Sequence, residues 1–270
     1  PGGGVAASEA FAGEQDHDVW LPEMALRFRP GGEAAWSAFG RVARGFRRGG
    51  FNLASGEAPA AYEPEYVWSS EIGLKGRVGG GLRWSATAFW MDIRDQQLIQ
   101  FRPGGSGFYF RNLGRAESKG VELEADWQVL PAWHFRSGLG YTDATLREGG
   151  DELLGVSYSG KRMPFAPEYN VFASLDYRQA WWPDWEIFAG VEWEAVGKTY
   201  WDESNRVATG RYDLWHAQAG MEHGRWTGRV FVRNLADESY AASVFAFPGS
   251  EPLAFAGRPR LAGVSLAAAF

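Results

Sequence analysis

The chain has 270 residues, no cysteine, and 33 acidic against 27 basic side chains, for a formal net charge of −6. The lack of cysteine excludes a disulfide framework and a thiolate metal site, and the acidic balance gives no reason to expect nucleic acid as a partner. Aromatic residues make up 16%, with 14 Trp, and no apolar run reaches the ~18 residues of a membrane-crossing helix.

So much Trp exceeds what a soluble core needs, whereas Trp and Tyr collect at membrane interfaces. The slightly negative mean hydropathy is compatible with membrane strands, because a barrel strand averages an apolar and a polar face. The chain opens Pro1-Gly2-Gly3-Gly4, without a charged-then-apolar leader. It is read as a mature fragment or the later part of a longer protein.

Residues 1–20 show no period and read as a loop or tail. Met24, Leu26 and Phe28 then alternate with Ala25, Arg27 and Arg29, up to a turn at Pro30-Gly31-Gly32. From Glu33 to Arg47, Trp36, Ala38, Gly40 and Val42 face one way, and Ser37, Phe39 and Arg41 the other. A long polar loop fills 48–62. Trp68, Ser70, Ile72 and Leu74 oppose Glu71, Lys75 and Arg77. After Gly79-Gly80-Gly81, Leu82, Trp84, Ala86, Ala88 and Trp90 oppose Arg83, Ser85 and Thr87.

A Gly-rich loop near 103–107 leads into a long alternating stretch, Phe108 to Val129. Its clearest part puts Val121, Leu123, Ala125, Trp127 and Val129 opposite Glu122, Glu124, Asp126 and Gln128. Leu130-Pro131-Ala132 turns the chain into Phe135–Tyr141. A long loop at 147–160 precedes a strand expected from Lys161 to Arg178. Trp181-Trp182-Pro183-Asp184 turns into Ile187–Ala195, and a loop near 202–206 follows. Trp215–Met221, a turn at Gly224-Arg225, Trp226–Asn234 and a last strand ending at Phe270 complete the pattern.

About eleven strands of one type, with no convincing helix, give an all-β reading. Connections alternate short and long, and Trp flanks the short turns. Short turns at one end, long loops at the other and an aromatic girdle describe a transmembrane antiparallel β-barrel, which must close because an open edge in lipid leaves backbone groups unpaired.

Four stretches carry a family resemblance. They are Gly45-Phe46-Arg47-Arg48-Gly49-Gly50-Phe51-Asn52; Tyr62-Glu63-Pro64-Glu65 with Ser70-Glu71-Ile72-Gly73-Leu74-Lys75-Gly76; Asn112-Leu113-Gly114-Arg115-Ala116 leading to Lys119-Gly120-Val121-Glu122-Leu123-Glu124; and Arg233-Asn234-Leu235-Ala236-Asp237-Glu238-Ser239-Tyr240 with Gly257-Arg258-Pro259-Arg260. In this order, from residue 21 onward, they resemble the TonB-dependent receptors of Gram-negative outer membranes, although family members often have Pro where this chain has Arg48. The resemblance implies a 22-stranded barrel with an N-terminal plug. Residues 21–270 would be its C-terminal half, with the plug, the TonB box and the first strands absent. It further implies a partnership with TonB through the missing region, uptake of a small iron chelate or other nutrient, and contact with outer-membrane lipid and lipopolysaccharide.

Arg41, Arg44, Arg47 and Arg48, running into Phe51 and Asn52, form the candidate site for an anionic ferric chelate, because a guanidinium fork binds carboxylate or catecholate oxygens and stays charged. Strict alternation puts Arg41 and Arg47 in the lumen and Arg44 and Arg48 on the other side, unless a bulge near Gly45 resets the phase. Tyr200 and Trp201 could supply an aromatic wall. The acidic rows Glu122, Glu124, Asp126 and Glu192, Glu194 are expected to line a wet lumen and pair with arginines, and Asp92 and Asp95 to form ion pairs with Arg94. His17, His134, His216 and His223 show no metal spacing, so neither a metal site nor a cofactor is expected, and no catalytic motif appears. Phe270 is a terminal aromatic of the kind that signals barrel assembly. The leading reading is a TonB-energised receptor for a scarce ligand, most often a ferric siderophore. The alternatives are a passive porin-like channel and a non-transporting β-rich binding protein.

Overall fold

The alternation from Glu23 onward becomes one antiparallel meander because each strand has a neighbour of matching period beside it. The computed structural model describes residues 14–31, 35–52, 61–101, 108–151, 155–246 and 250–270. Eleven strands form a single sheet in strict sequence order. They are β1 (Glu23–Phe28), β2 (Trp36–Arg47), β3 (Glu65–Val78), β4 (Leu82–Arg94), β5 (Arg115–Leu130), β6 (Trp133–Glu148), β7 (Tyr169–Trp182), β8 (Trp185–Val196), β9 (Tyr212–His223), β10 (Trp226–Arg233) and β11 (Leu261–Ala268). No helix occurs among the described residues.

Register fixes the faces, since directly opposed residues in an antiparallel pair project to the same side. Leu123 stands opposite Ala86 and Leu139, and Ala86 opposite Leu74. Glu124 stands opposite Ser85 and Gly138, on the other side. One face of the wall is therefore apolar and the other is laced with charged pairs, and an outer-membrane barrel turns the first to lipid and the second to its lumen.

Aromatics band the lipid face in two tiers. Trp36, Trp84, Trp127, Trp133, Trp185 and Trp226 lie toward the short turns, with Trp133 against Tyr177 at 4.8 Å and Trp185 stacked on His223 at 4.4 Å. Trp68, Trp90, Trp193 and Trp215 lie toward the long loops, with Trp193 stacked on Trp215 at 6.0 Å. Trp185 and Trp193 are separated by about 27 Å along β8, or roughly 21 Å of height at a tilt of about 40°, close to the ~25 Å apolar band of such barrels. The sequence pattern pointed to the first tier alone.

Two strands are shorter than expected. The stretch from Phe108 to Val129 breaks at Leu113-Gly114, where Gly114 has φ +85°, so Phe108–Asn112 belongs to a loop hairpin and the wall strand starts at Arg115. The Lys161–Arg178 stretch starts as strand only at Tyr169, because Pro164 and Pro167 remove ladder donors from the preceding segment. The short hairpin ladders in the long loops are additional: Gly50–Phe51 with Ala61–Tyr62, Gln97–Phe101 with Phe108–Asn112, Gly150–Asp151 with Val156–Ser157, Thr199–Tyr200 with Ala208–Thr209, and Ala241–Phe245 with Leu253–Ala256. The Gly-rich stretch 103–107, most of the 1–20 tail, and Gly32 and Glu33 lie outside the described residues.

What apolar core exists sits inside the loop end. Ile93, Leu113, Ala116, Leu146 and Tyr158 are buried together, with Val67, Met91, Leu98 and Met163 packed on them. They tie the upper ends of β3–β6 to two loops.

Candidate functional site

The lumen face is built from cross-strand ion pairs. Arg41 reaches Glu23 at 2.9 Å and Glu71 at 3.6 Å. Asp126 accepts from Arg83 at 3.1 Å and lies 3.1 Å from His134 Nε2; Arg136 meets Asp176 at 3.2 Å; Arg178 is shared between Glu186 and Glu222. Ser85 donates to Glu124 at 2.9 Å, and Arg233 stands 3.9 Å from Glu192. Of the acidic rows, Asp126 and Glu192 meet arginines as expected, whereas Glu124 accepts from Ser85, Glu194 faces His216, and Glu122 has no ion pair among the described residues. Asp92 pairs with Arg94 at 3.5 Å, but on the outward face; Asp95 instead turns the chain at φ +56° and lends its carbonyl to Asn112.

Below the middle of the wall the lumen face forms a hollow of about 810 Å³. Arg27, Arg29, Lys75, Arg77, Arg83 and Arg136 line it against only Glu124 and Asp126. Arg83 and Arg136 are engaged by carboxylates, whereas Arg27, Arg29, Lys75 and Arg77 have no carboxylate partner among the described residues.

β2 pairs with β3 without a register break from Trp36–Gly76 to Arg47–Glu65, so no bulge intervenes at Gly45. Arg41 and Arg47 project into the lumen and Arg44 projects outward, where its guanidinium sits 4.6 Å over the Tyr66 ring. Arg47 is exposed and has no ion pair among the described residues. Arg48 lies past the strand end, and its carbonyl accepts from Gln97 Nε2 at 2.8 Å. Asn52 donates to the Phe110 carbonyl at 2.8 Å and accepts its N–H at 2.7 Å, clasping two loop hairpins together. Tyr200 and Trp201 belong to a different loop group. The Tyr200 carbonyl accepts from the Phe165 N–H at 2.8 Å, and the Trp201 indole donates to Thr209 at 3.0 Å. None of these contacts reaches the Arg41–Asn52 segment.

Several polar hubs have no signature along the chain. Gln97 is buried, donates its backbone N–H to the Glu65 carboxylate at 2.7 Å, and donates from its side chain to the Arg48 and Glu63 carbonyls. Asn112 exchanges two hydrogen bonds with the backbone of Glu63. Asn234, at φ +49°, donates to the Glu238 and Arg258 carbonyls and accepts from the Glu238 N–H. Residues of the four resembling motifs thus act as clasps among the long loops. Register also brings His216 opposite Glu192, so that one potential ligand atom from each of Glu192, Glu194 and His216 lies within 4.8 Å of the others. The scattered histidine positions gave no hint of this, because the contact is across strands.

A family model for the TonB dependent receptor-like β-barrel matches residues 2–235. The pesticin receptors of Yersinia enterocolitica and Yersinia pestis are each 26% identical over 236 residues, covering 85% of this chain and 33% of theirs. The ferric yersiniabactin uptake receptor FyuA of Yersinia pestis superposes with a TM-score of 0.78 at 23% identity, over 93% of this chain and 37% of that one. The siderophore receptor PiuA of Acinetobacter baumannii superposes with a TM-score of 0.70 at 21% identity, over 90% and 35%. The chain therefore spans about a third of the length of these relatives, and the shared fold with solved receptors is that of their barrels. With its lipid and lumen faces, paired tryptophan tiers and long-loop clasps, the chain belongs to the TonB-dependent receptor β-barrel family of the Gram-negative outer membrane.

Proposed function

We propose that this chain is the second half of the barrel of a receptor that imports an anionic metal chelate, a ferric siderophore or similar iron complex, with energy delivered by the TonB complex. The observation that carries this reading is the charge of the hollow in the lumen face, which six cations line against two carboxylates. Arg27, Arg29, Lys75 and Arg77 have no carboxylate partner among the described residues of a chain whose net charge is −6. Surplus cations lining a confined passage concentrate an anionic solute there. The name of the ferric yersiniabactin uptake receptor agrees with an iron-complex ligand.

Arg47, and Arg41 below it, would meet the chelate first at the loop end of the lumen, beside Phe51 and Asn52, and Tyr200 and Trp201 would form a wall on the other side. The plug and the TonB contact would come from a region outside this chain. The protein is a receptor, not an enzyme, as are its family and structural neighbours.

The test is uptake of radiolabelled iron chelate by iron-starved cells carrying the full receptor, with and without an uncoupler of the inner-membrane proton gradient. Uptake abolished by the uncoupler supports energised import. Uptake that persists and follows the external concentration identifies a passive channel instead.

A further inference from the structure

Two groups of cations without carboxylate partners stand at different heights on the lumen face. Arg47 is at the loop end. Glu65, directly opposite it, is turned to the Gln97 N–H at 2.7 Å and makes no ion pair with it. Lys75, Arg77, Arg27 and Arg29 are at the short-turn end, in the hollow. Lys75 stands opposite Ser37. From Ser37 up to Arg47 is about 33 Å along β2, or roughly 25 Å of height at a tilt of about 40°. Between the two groups, the lumen rows of β1–β4 carry only Arg41 and the carboxylates it pairs with, Glu23 and Glu71, among the described residues. An anion that leaves Arg47 therefore crosses a stretch with more carboxylates than cations before it meets the inner group.

The inner cations are positioned without being neutralised. The Lys75 ammonium sits 5.8 Å over the Phe39 ring, and Arg27 donates to the Ser37 hydroxyl at 3.4 Å. Neither an aromatic face nor a hydroxyl removes their charge. A Cβ at Gly73 would lie 2.5 Å from the Phe39 ring, so the glycine lets that ring lie against the wall instead of standing in the passage. The hollow it leaves, about 810 Å³, is of the size that encloses a small ligand.

We propose that Lys75, Arg77, Arg27 and Arg29 are an inner station for a small polyanionic metal chelate, reached after it leaves Arg47, and that they set the rate of transfer rather than the affinity at the mouth. The inference rests on the chelate-import reading above and adds the step that follows capture. Screening separates the two roles. The Debye length is about 8 Å at physiological ionic strength, so charges roughly 25 Å away contribute little to holding an anion at Arg47. An anion that has entered the hollow has four unpartnered cations around it, and Arg and Lys together suit a ligand carrying several carboxylate or catecholate oxygens. A neutral chelate gains nothing there, so the inner station selects for negative charge at the transfer step.

The test uses iron-starved cells that carry the full receptor containing this chain and lack other ferric receptors. Radiolabelled iron is supplied as an anionic tris-catecholate complex or as citrate. Binding in the presence of an uncoupler reads affinity at the mouth, and energised cells read the maximal uptake rate. Lys75→Gln/Arg77→Gln should leave the dissociation constant within about twofold. It should lower the maximal rate roughly tenfold, the lower end of the enrichment a charged cleft provides. Lys75→Arg/Arg77→Lys keeps both charges and should keep the rate. Arg27→Gln/Arg29→Gln, on β1, repeats the test with an independent pair. Heat-modifiable migration and equal surface abundance confirm folding, and unchanged resistance to vancomycin confirms that the lumen stays blocked. An unchanged rate in both glutamine pairs, an affinity that falls with the rate, or a rate lost in the charge-keeping pair would overturn the inference. So would new vancomycin sensitivity, which would assign these cations to holding whatever fills the barrel. A wild type that takes up neither complex sinks the chelate-import reading itself, whereas uptake that the variants leave unaltered sinks the inner station alone.

Discussion

The backbone N–H of Asn234 donates to Nδ1 of His216 at 3.0 Å. An amide is always the donor, so Nδ1 contributes its lone pair and the proton of the neutral imidazole sits on Nε2. That nitrogen faces Glu194 Oε1 at 3.8 Å, while Arg233 approaches Glu192 at 3.9 Å. A ligating histidine needs the opposite arrangement, with one nitrogen free for the metal and the other donating its proton to an acceptor. The tautomer that Asn234 imposes thus turns the Nε2–H toward Glu194 and leaves neither imidazole nitrogen free for a metal.

The full receptor, equilibrated with one equivalent of Zn²⁺ near neutral pH and desalted, should accordingly retain no zinc that depends on His216. Elemental analysis of wild type and His216→Ala checks this. One equivalent held by wild type and lost from the variant would reverse the tautomer argument.

Asn234 offers a stability test of the loop clasps. Its amide makes bonds of 2.8 to 3.0 Å to Glu238 and Arg258, and its φ of +49° suits Asn or Gly. Asn234→Gly keeps the backbone conformation and removes the amide, so it should cost about 1–3 kcal/mol through backbone groups left unpaired. Asn234→Ala should cost more by adding strain. Urea unfolding of the purified receptor measures both, and equal stability of the glycine variant would show that water replaces the clasp.

Leu123 and Glu124 test the faces of the wall. Leu123→Arg puts a charge toward lipid and should cost about 2–4 kcal/mol if the site lies near the midplane. Glu124→Arg stays in the wet lumen, losing the Ser85 contact, and should be far milder. Folded yield in lipid vesicles over a urea series ranks them; the reverse ranking would mean that the faces are exchanged.

Arg47→Ala should weaken binding of the anionic ferric chelate while the barrel assembles normally, because Arg47 projects into the lumen without an ion pair among the described residues. Arg41 is committed to Glu23 and Glu71, so Arg41→Ala should disturb the β1–β3 ladder as well as binding. Ligand titration on purified receptor distinguishes these, and unchanged affinity for Arg47→Ala removes that residue from the site.

Deleting Phe270 should lower the yield of inserted, heat-modifiable barrel. The side chain is fully exposed at the end of the last strand, with the Arg225 guanidinium 5.3 Å over its ring. A contact of that kind offers little stability, so a lowered yield would reflect assembly rather than the stability of the folded barrel. Undiminished yield would rule this out.

The wall was legible in the sequence because the two sides of each strand differ in polarity, and that difference is what period-2 reading detects. Val121 to Val129 needed nothing more. The strand starts at Arg115 and Tyr169 were misplaced because alternation runs on through Gly114, Pro164 and Pro167, whose backbones rather than side chains end the ladder. Two-residue loop ladders are too short to show a period. The Arg41, Arg44 and Arg47 directions followed from counting, since β2 pairs without a bulge. Gln97, Asn112 and the His216 cluster were invisible because register, not spacing along the chain, chooses their partners.

Eleven is an odd number of crossings. β1 starts beside the long loops, where the Pro22 carbonyl accepts from the Arg44 N–H and His17 packs edge-on to Phe46 at 6.0 Å, and β11 ends at the short-turn end beside Arg225. The segment around His17 is therefore on the cell exterior and Phe270 faces the periplasm. The two ends of this stretch of chain therefore meet different compartments, the outside medium at one and the periplasm at the other.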